Sequence, residues 1–260
     1  MLEQMALPRN LEVESPATGS RARAGKRPRI AKRDREWRRP SAKRVRAIRD
    51  RLRQIYGRPV NQPHGDPVAE LVRTILSQNT NDHNRDVAFD RLVERFPTWE
   101  EVRDAPTRQV EDALRPGGLA NTKAPRIQEV LRQIGDPPDL EWLKSAPIDE
   151  ANSFLCALPG VGRKTAACVL IFTWDLPEIP VDVHVYRVGG RLGLFRPNAS
   201  FDEAHDEMLA ITPPEDAYEF HINLIRHGRE ICRPKPKCDQ CELTRMCPWR
   251  RAQAARTPGD

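Results

Sequence analysis

Beyond a polar N-terminal stretch, apolar residues recur along this chain with a helical period. Val45, Ile48, Leu52 and Ile55 fall on one helix face. Val68, Leu71, Val72, Ile75 and Leu76 repeat the i, i+3, i+4, i+7 spacing of an amphipathic helix. So do Phe89, Leu92, Val93 and Phe96, and again Ile127, Val130, Leu131 and Ile134. Breaks at Gly57-Arg58-Pro59, Pro116-Gly117-Gly118 and Gly135-Asp136-Pro137-Pro138 separate the stripes. No stretch alternates with period two for long enough to argue a sheet, so the pattern predicts an all-α protein. Stripes of this kind are ordinary core and carry no function by themselves.

Composition sharpens this picture at the N-terminus. Of 43 Lys/Arg and 37 Asp/Glu, fourteen basic residues and only Asp34 and Glu36 fall between Arg21 and Arg49. The remainder is acidic overall, with 29 basic against 35 acidic residues. Residues 1–40 are therefore expected to be a disordered basic tail that adds salt-sensitive attraction to phosphates. The longest apolar run, Ala166–Phe172, falls far short of the roughly 20 residues of a membrane span. No apolar signal core begins the chain, so a cytoplasmic protein without a membrane partner is expected.

Leu158-Pro159-Gly160-Val161-Gly162-Arg163-Lys164-Thr165-Ala166 is the most informative segment. A helical stretch, Phe154–Leu158, runs into a Pro-Gly-Val-Gly turn, and a second helix follows with Ala166, Val169, Leu170 and Thr173 on its buried face. Gly160 and Gly162 permit left-handed backbone, and the open N–H groups of the next helix suit an anion such as a DNA phosphate. A generic helix–turn–helix corner uses such glycines too. Arg163 and Lys164 sit where the helix dipole disfavours cations, which points to a ligand or to chemistry. The same potential predicts a Lys164 pKa below its ordinary value of about 10.4. Two exposed basic residues near phosphate are the plainer reading.

Pro180–Arg187 supplies a carboxylate, Asp182, eighteen residues later. About ten residues of helix climb roughly 15 Å, and the rest of the interval can return Asp182 to the level of Lys164. A helix N-cap is the ordinary role for such an aspartate and is compatible with chemistry.

Leu158–Ala166 and Val181–Arg191 together resemble the helix–hairpin–helix and downstream aspartate of the endonuclease III family, and the resemblance covers roughly residues 43–249. It implies that Lys164 attacks C1′ of a damaged nucleotide as a Schiff-base nucleophile, that β-elimination of the 3′ phosphate follows, and that Asp182 assists. It implies a nucleotide turned out of the duplex and a gap that must be filled. Leu76–Asp82 resembles one inserting loop; Asn79 stands where the family inserts a glutamine, with Gln78 just before it. Read alone, this is a polar helix end. Gly118–Ala124 resembles a second loop, with Leu119 as wedge or, equally, as a core anchor. His184, beside Asp182, is a candidate contact to the DNA backbone. Gly160, Val161, Gly162 and Arg163 are the expected phosphate-binding hairpin.

Cys232, Cys238, Cys241 and Cys247 form C-x5-C-x2-C-x5-C, whereas Cys156 and Cys168 read as small buried hydrophobes. Four thiolates in one loop suit zinc or a cubane iron–sulfur cluster equally by spacing. The resemblance implies a [4Fe-4S] cluster, although the family has six residues between the first two cysteines and this chain has five.

Two helical domains with a DNA groove between them are then expected. One is a six-helix barrel over 66–176; the other combines 41–65 with 177–250, and 251–260 forms a tail. The expected activity is removal of oxidised pyrimidines from double-stranded DNA bearing damaged bases or abasic sites, by a monomer. Alternatives are excision of uracil or mismatched bases, action mainly on abasic sites, or a non-catalytic DNA-binding module.

Overall fold

Helices start where the sequence supplies an acceptor for otherwise unpaired first-turn N–H groups. The computed structural model describes residues 37–63 and 65–255, and within them helices are the only regular elements. Most of the basic segment 1–40, and residues 256–260 of the expected C-terminal tail, lie outside the described residues. Ser41 caps α1 (Ala42–Tyr56) and Asp66 caps α2 (Pro67–Ser77), its Oδ1 accepting from Val68 and Ala69 N–H at 2.9 Å. Asn81 caps α3 (Asp82–Arg95) and Thr98 caps α4 (Trp99–Asp104). There follow α5 (Thr107–Leu114), α6 (Ala120–Ile134), α7 (Ile148–Ala157) and α8 (Arg163–Trp174). Asp182 caps α9 (Val183–Leu192), a reciprocal Ser200–Glu203 box opens α10 (Phe201–Ile211), and α11 (Ala217–Glu230) and α12 (Pro248–Ala254) complete the chain.

Two hydrophobic clusters form. The first gathers the buried faces of α2 to α8, from Val68 to Leu170. The second draws Val45, Ile48 and Leu52 of α1 together with Ile179, Val181, residues of α9 to α11, Leu243 and Cys247. Deleting a buried leucine from either typically costs about 2–5 kcal/mol. The periodic residues sit largely where their spacing put them; Ile55 and Ile134 are half-buried and Val93 lies at the edge of exposure.

Charged pairs fasten α1 to the second cluster. Arg53 grips the buried Glu219 with two hydrogen bonds of 2.7 Å, and Arg49 pairs with Asp216. Such pairs hold geometry because a lone buried charge is far costlier than a matched one. Where the two clusters meet, Phe172 of α8 packs edge-on against Tyr218 and tilted against His221 of α11. Asn61 donates to the Ile171 carbonyl at 2.7 Å.

Candidate active site

The hairpin between α7 and α8 is anchored by two buried side chains, Leu158 and Val161. Gly160 has φ +71°, and a Cβ there would lie 2.5–2.8 Å from the Arg126 side chain. Only glycine satisfies both constraints. Gly162 differs from expectation: its backbone is extended, so the left-handed turn belongs to Gly160 alone. As N-cap of α8, Gly162 offers no side-chain acceptor, which leaves the first-turn N–H groups available to an anion.

Lys164, half-buried, opens onto a cavity of about 370 Å³. One wall is the α8 stripe Lys164, Cys168 and Phe172; the facing wall is the α2 stripe Glu70, Arg73, Thr74 and Ser77. Each stripe follows helical spacing, so two faces of polar chemistry meet across one space. The ammonium of Lys164 is held above its ordinary value, by Cys168 as charge partner and hydrogen-bond partner and by Asp182 and Glu70, against the opposing effect of burial. Burial pushes the Cys168 thiol up, so at neutral pH it is a thiol and the lasting negative partners are the carboxylates. This direction is opposite to the depressed pKa expected from the helix start, and its leading cause is Cys168, one turn further along the same helix.

Glu70 is buried and was not anticipated as a functional residue. Its Oε1 accepts from Thr74 Oγ1 at 3.1 Å. Desolvation pushes its carboxyl up, opposed by Thr74, Arg73, Arg85 and Lys164. The sequence did hold a signal: residues 70, 73, 74 and 77 form a polar stripe interleaved with the apolar stripe of the same helix.

Asp182 belongs to the other cluster. Its Oδ1 accepts from His184 and Val185 N–H at 2.8 and 2.7 Å, so the cap and electrostatic reach to Lys164 coexist. Val181 is buried, while Val183 is 62% exposed. His205 Nε2 accepts from Val181 N–H at 3.1 Å. Burial lowers the pKa values of both His205 and His221 to about 4, so both are neutral at pH 7. Neither histidine was singled out from sequence.

The rim brings the two loops and the hairpin together. Gln78 Nε2 donates to the Gly160 carbonyl at 3.1 Å, and Arg126 donates to Gln78 Oε1 at 3.2 Å. Asn79, beside it, is exposed with φ +56°. Leu119 is 53% exposed with φ +52°, so it is a loop tip and not a core anchor. Lys123, also unanticipated, is buried and its Nζ donates to the carbonyls of Leu76 (2.7 Å) and Gly117 (2.9 Å), fastening both loops to α6. Arg163 turns to Asp206 of α10 at 2.7 Å, and His184 Nδ1 lies 3.1 Å from Arg187 Nη2. Cys156, expected to be buried, is exposed because Ala151 and Leu155 define the inner face of α7.

All four C-terminal cysteines line one enclosed cavity, with Val188, Leu192, Leu243 and Trp249 among its apolar walls. Arg191 donates to Cys232 Sγ at 3.4 Å and to the carbonyls of Arg233 and Pro234; Arg187 donates to the Cys232 carbonyl. Among the described residues no group of three His, Cys, Asp or Glu side chains is arranged to hold a single metal ion. Four thiols arrayed around an apolar space suit a sulfur-ligated metal group, zinc or iron–sulfur. No helix among the described residues is long and apolar enough to cross a membrane.

The model of the HhH-GPD superfamily base excision DNA repair protein matches residues 72–214. Endonuclease III of Thermotoga maritima is 33% identical over 207 residues, 78% of this chain and 93% of that protein. Endonuclease III of Escherichia coli K12 is 30% identical over 205 residues, 78% and 94% of the two chains. Among solved structures, an endonuclease III trapped as a covalent intermediate with DNA superposes with a TM-score of 0.70 at 28% identity, covering 83% of this chain and 99% of that one. The chain therefore belongs to the endonuclease III family of HhH-GPD base-excision repair proteins, the DNA glycosylases with abasic-site lyase activity.

Proposed function

We propose that this enzyme removes oxidised pyrimidines from double-stranded DNA, with Lys164 as the attacking amine. The observation that carries the reading is the placement of Lys164: an amine in the uncapped first turn of α8, opening on a polar cavity where the two clusters meet, with Asp182 in electrostatic reach. The extruded nucleotide would enter that cavity. Lys164 Nζ attacks C1′ as the bond from C1′ to the base breaks. The C1′–O4′ bond then opens, with O4′ taking a proton lost from that nitrogen, and the Schiff base so formed permits β-elimination of the 3′ phosphate. Asp182, fixed by its cap, stabilises the positive charge that develops on the sugar.

The hairpin Gly160, Val161 and Gly162 holds a backbone phosphate against the open N–H groups of α8, with Arg163 beside it. Asn79 and Leu119 are the tips that enter the duplex; Gln78 supports them from behind through Gly160. His184 contributes to the same face beside Arg187. Cys232, Cys238, Cys241 and Cys247 would hold a [4Fe-4S] cluster, which would fix the basic Arg233–Lys237 loop against DNA. Burial raises the Cys241 and Cys247 thiols, so loading the site releases protons.

Borohydride reduction on duplexes bearing single thymine glycol, 5-hydroxycytosine or abasic residues tests the reading. A covalent adduct should form and vanish in Lys164→Ala; absence of any adduct with the wild-type protein overturns it. Iron analysis tests the cluster: about four iron atoms per chain are expected, and stoichiometric zinc in active protein would refute it.

A further inference from the structure

Lys164 rests as an ammonium, yet the attack requires a neutral amine, and the departing base leaves with an electron pair that a proton must satisfy. One group in the cavity is placed to serve both needs. Glu70 faces Lys164 from the opposite wall, one helix away, and lines the same 370 Å³ space into which the base would turn. Asp182 is not suited to this: one of its oxygens is committed to two backbone N–H groups, and it does not line the cavity.

We propose that Glu70 is a proton carrier, taking the proton of the Lys164 ammonium and delivering it to the departing base. The inference rests on Lys164 as attacking amine. In the first step Glu70 carboxylate accepts one proton from Lys164, giving a carboxylic acid and a free amine. The amine lone pair then forms the bond to C1′ while the electron pair of the C1′–base bond leaves with the base. Glu70 protonates the base and returns to carboxylate, and the positive charge ends on the nitrogen now joined to C1′. No external acid, base or oxidant is required.

Three observations support the assignment. Glu70 and Lys164 each shift the protonation of the other, so they lie within effective electrostatic range. Burial already raises the Glu70 carboxyl, and a base filling the cavity would expel water and favour its neutral form further. Thr74 Oγ1 donates to Glu70 Oε1 at 3.1 Å, which helps orient the carboxyl towards the cavity that both residues line. Arg73 and Arg85 line the same cavity.

The test separates the two chemical steps. Glu70→Gln is close to isosteric. Single-turnover excision is measured on whichever of thymine glycol, dihydrouracil, 5-hydroxycytosine or uracil duplexes the wild-type protein cleaves fastest. Borohydride trapping on a pre-formed abasic site, where no base departs, is measured at the same pH values and doubles as a check of folding. Excision is expected to fall about 100-fold, and trapping, which needs the deprotonation of Lys164 but no proton on a departing base, is expected to fall clearly less. Towards acid the carboxylate form of Glu70 is lost, so excision and trapping should both decline in the wild type, and this decline should be absent in Glu70→Gln. Equal losses in both assays, or unchanged excision, overturn the proposal. A trap that survives in Lys164→Ala removes the attacking-amine reading and the carrier with it; a failure confined to Glu70→Gln removes the carrier alone.

Discussion

Lys164 and Asp182 are held by different halves of the molecule and in different ways. Lys164 stands on α8, whose buried stripe is part of the first cluster, and its charge is met by the side chains Cys168, Asp182 and Glu70. Asp182 precedes α9 in the second cluster and is met by backbone N–H groups, with Val181 beside it pinned by His205. Side-chain partners can trade protons and move; backbone partners can do neither. The difference assigns a changeable charge to the cavity wall at Lys164 and a fixed charge to the half of the molecule that carries Asp182.

The largest expected effect comes from removing the fixed charge while keeping its geometry. Asparagine caps helices as well as aspartate does, so Asp182→Asn should leave thermal unfolding nearly unchanged. Excision should fall about 100- to 1000-fold, the scale of losing one fixed electrostatic group. Asp182→Ala adds a structural loss of about 1 kcal/mol, visible as a lower Tm. Equal Tm losses in the two variants would mean that the cap alone accounts for Asp182.

Acid should attack the Asp182 half first. His205 and His221 have folded-state pKa values of about 4 against an ordinary 6.5. Below pH 6.5 the unfolded chain binds protons that the folded chain does not, so stability falls as pH drops from about 6.5 towards 4. Each histidine contributes at most about 3 kcal/mol to that loss. Replacing both with glutamine should lessen the fall in Tm across this window, and the buried His227, also held at about 4, should keep part of it. A profile unaltered by the double variant would dissociate these histidines from acid sensitivity.

The same division explains what the sequence disclosed. The helical stripes and the Asp182 cap depend on residues close in the chain, so spacing exposes them. Glu70 lines the cavity opposite Lys164, which stands 94 positions later in the chain, and nothing local announces that meeting. The direction of the Lys164 shift was misjudged because Cys168, its leading partner one turn along the same helix, reads in sequence only as a small buried hydrophobe, and because Asp182 and Glu70 are brought by tertiary packing. Cys156 failed on a finer point. It follows Leu155 by one residue, about 100° around the helix, and so turns away from the face that Leu155 buries.

On the Lys164 half, the corresponding structural residue is Lys123. Burial lowers its pKa, yet two carbonyls at the ends of the inserting loops accept from its ammonium. Lys123→Met keeps the bulk and strands both carbonyls. A loss of about 2 kcal/mol is expected, with weaker binding of lesion duplexes because both loop tips loosen together. Unchanged Tm would show that water replaces the ammonium at no cost.

Leu119 supplies the smallest and cleanest contrast, since it is an exposed tip with no share in either cluster. Leu119→Ala should leave Tm within about 0.5 kcal/mol of equivalent stability. Inserted between bases, however, the side chain would be buried and contribute about 1.5–3 kcal/mol. Binding to a lesion duplex should therefore weaken by roughly tenfold or more, while binding to undamaged duplex, where nothing is inserted, should hardly change. Equal weakening on both duplexes would make Leu119 a general surface contact and leave Asn79 as the tip that enters the gap. Stability and lesion affinity would thus come apart at the rim, whereas at Lys123 they should fall together.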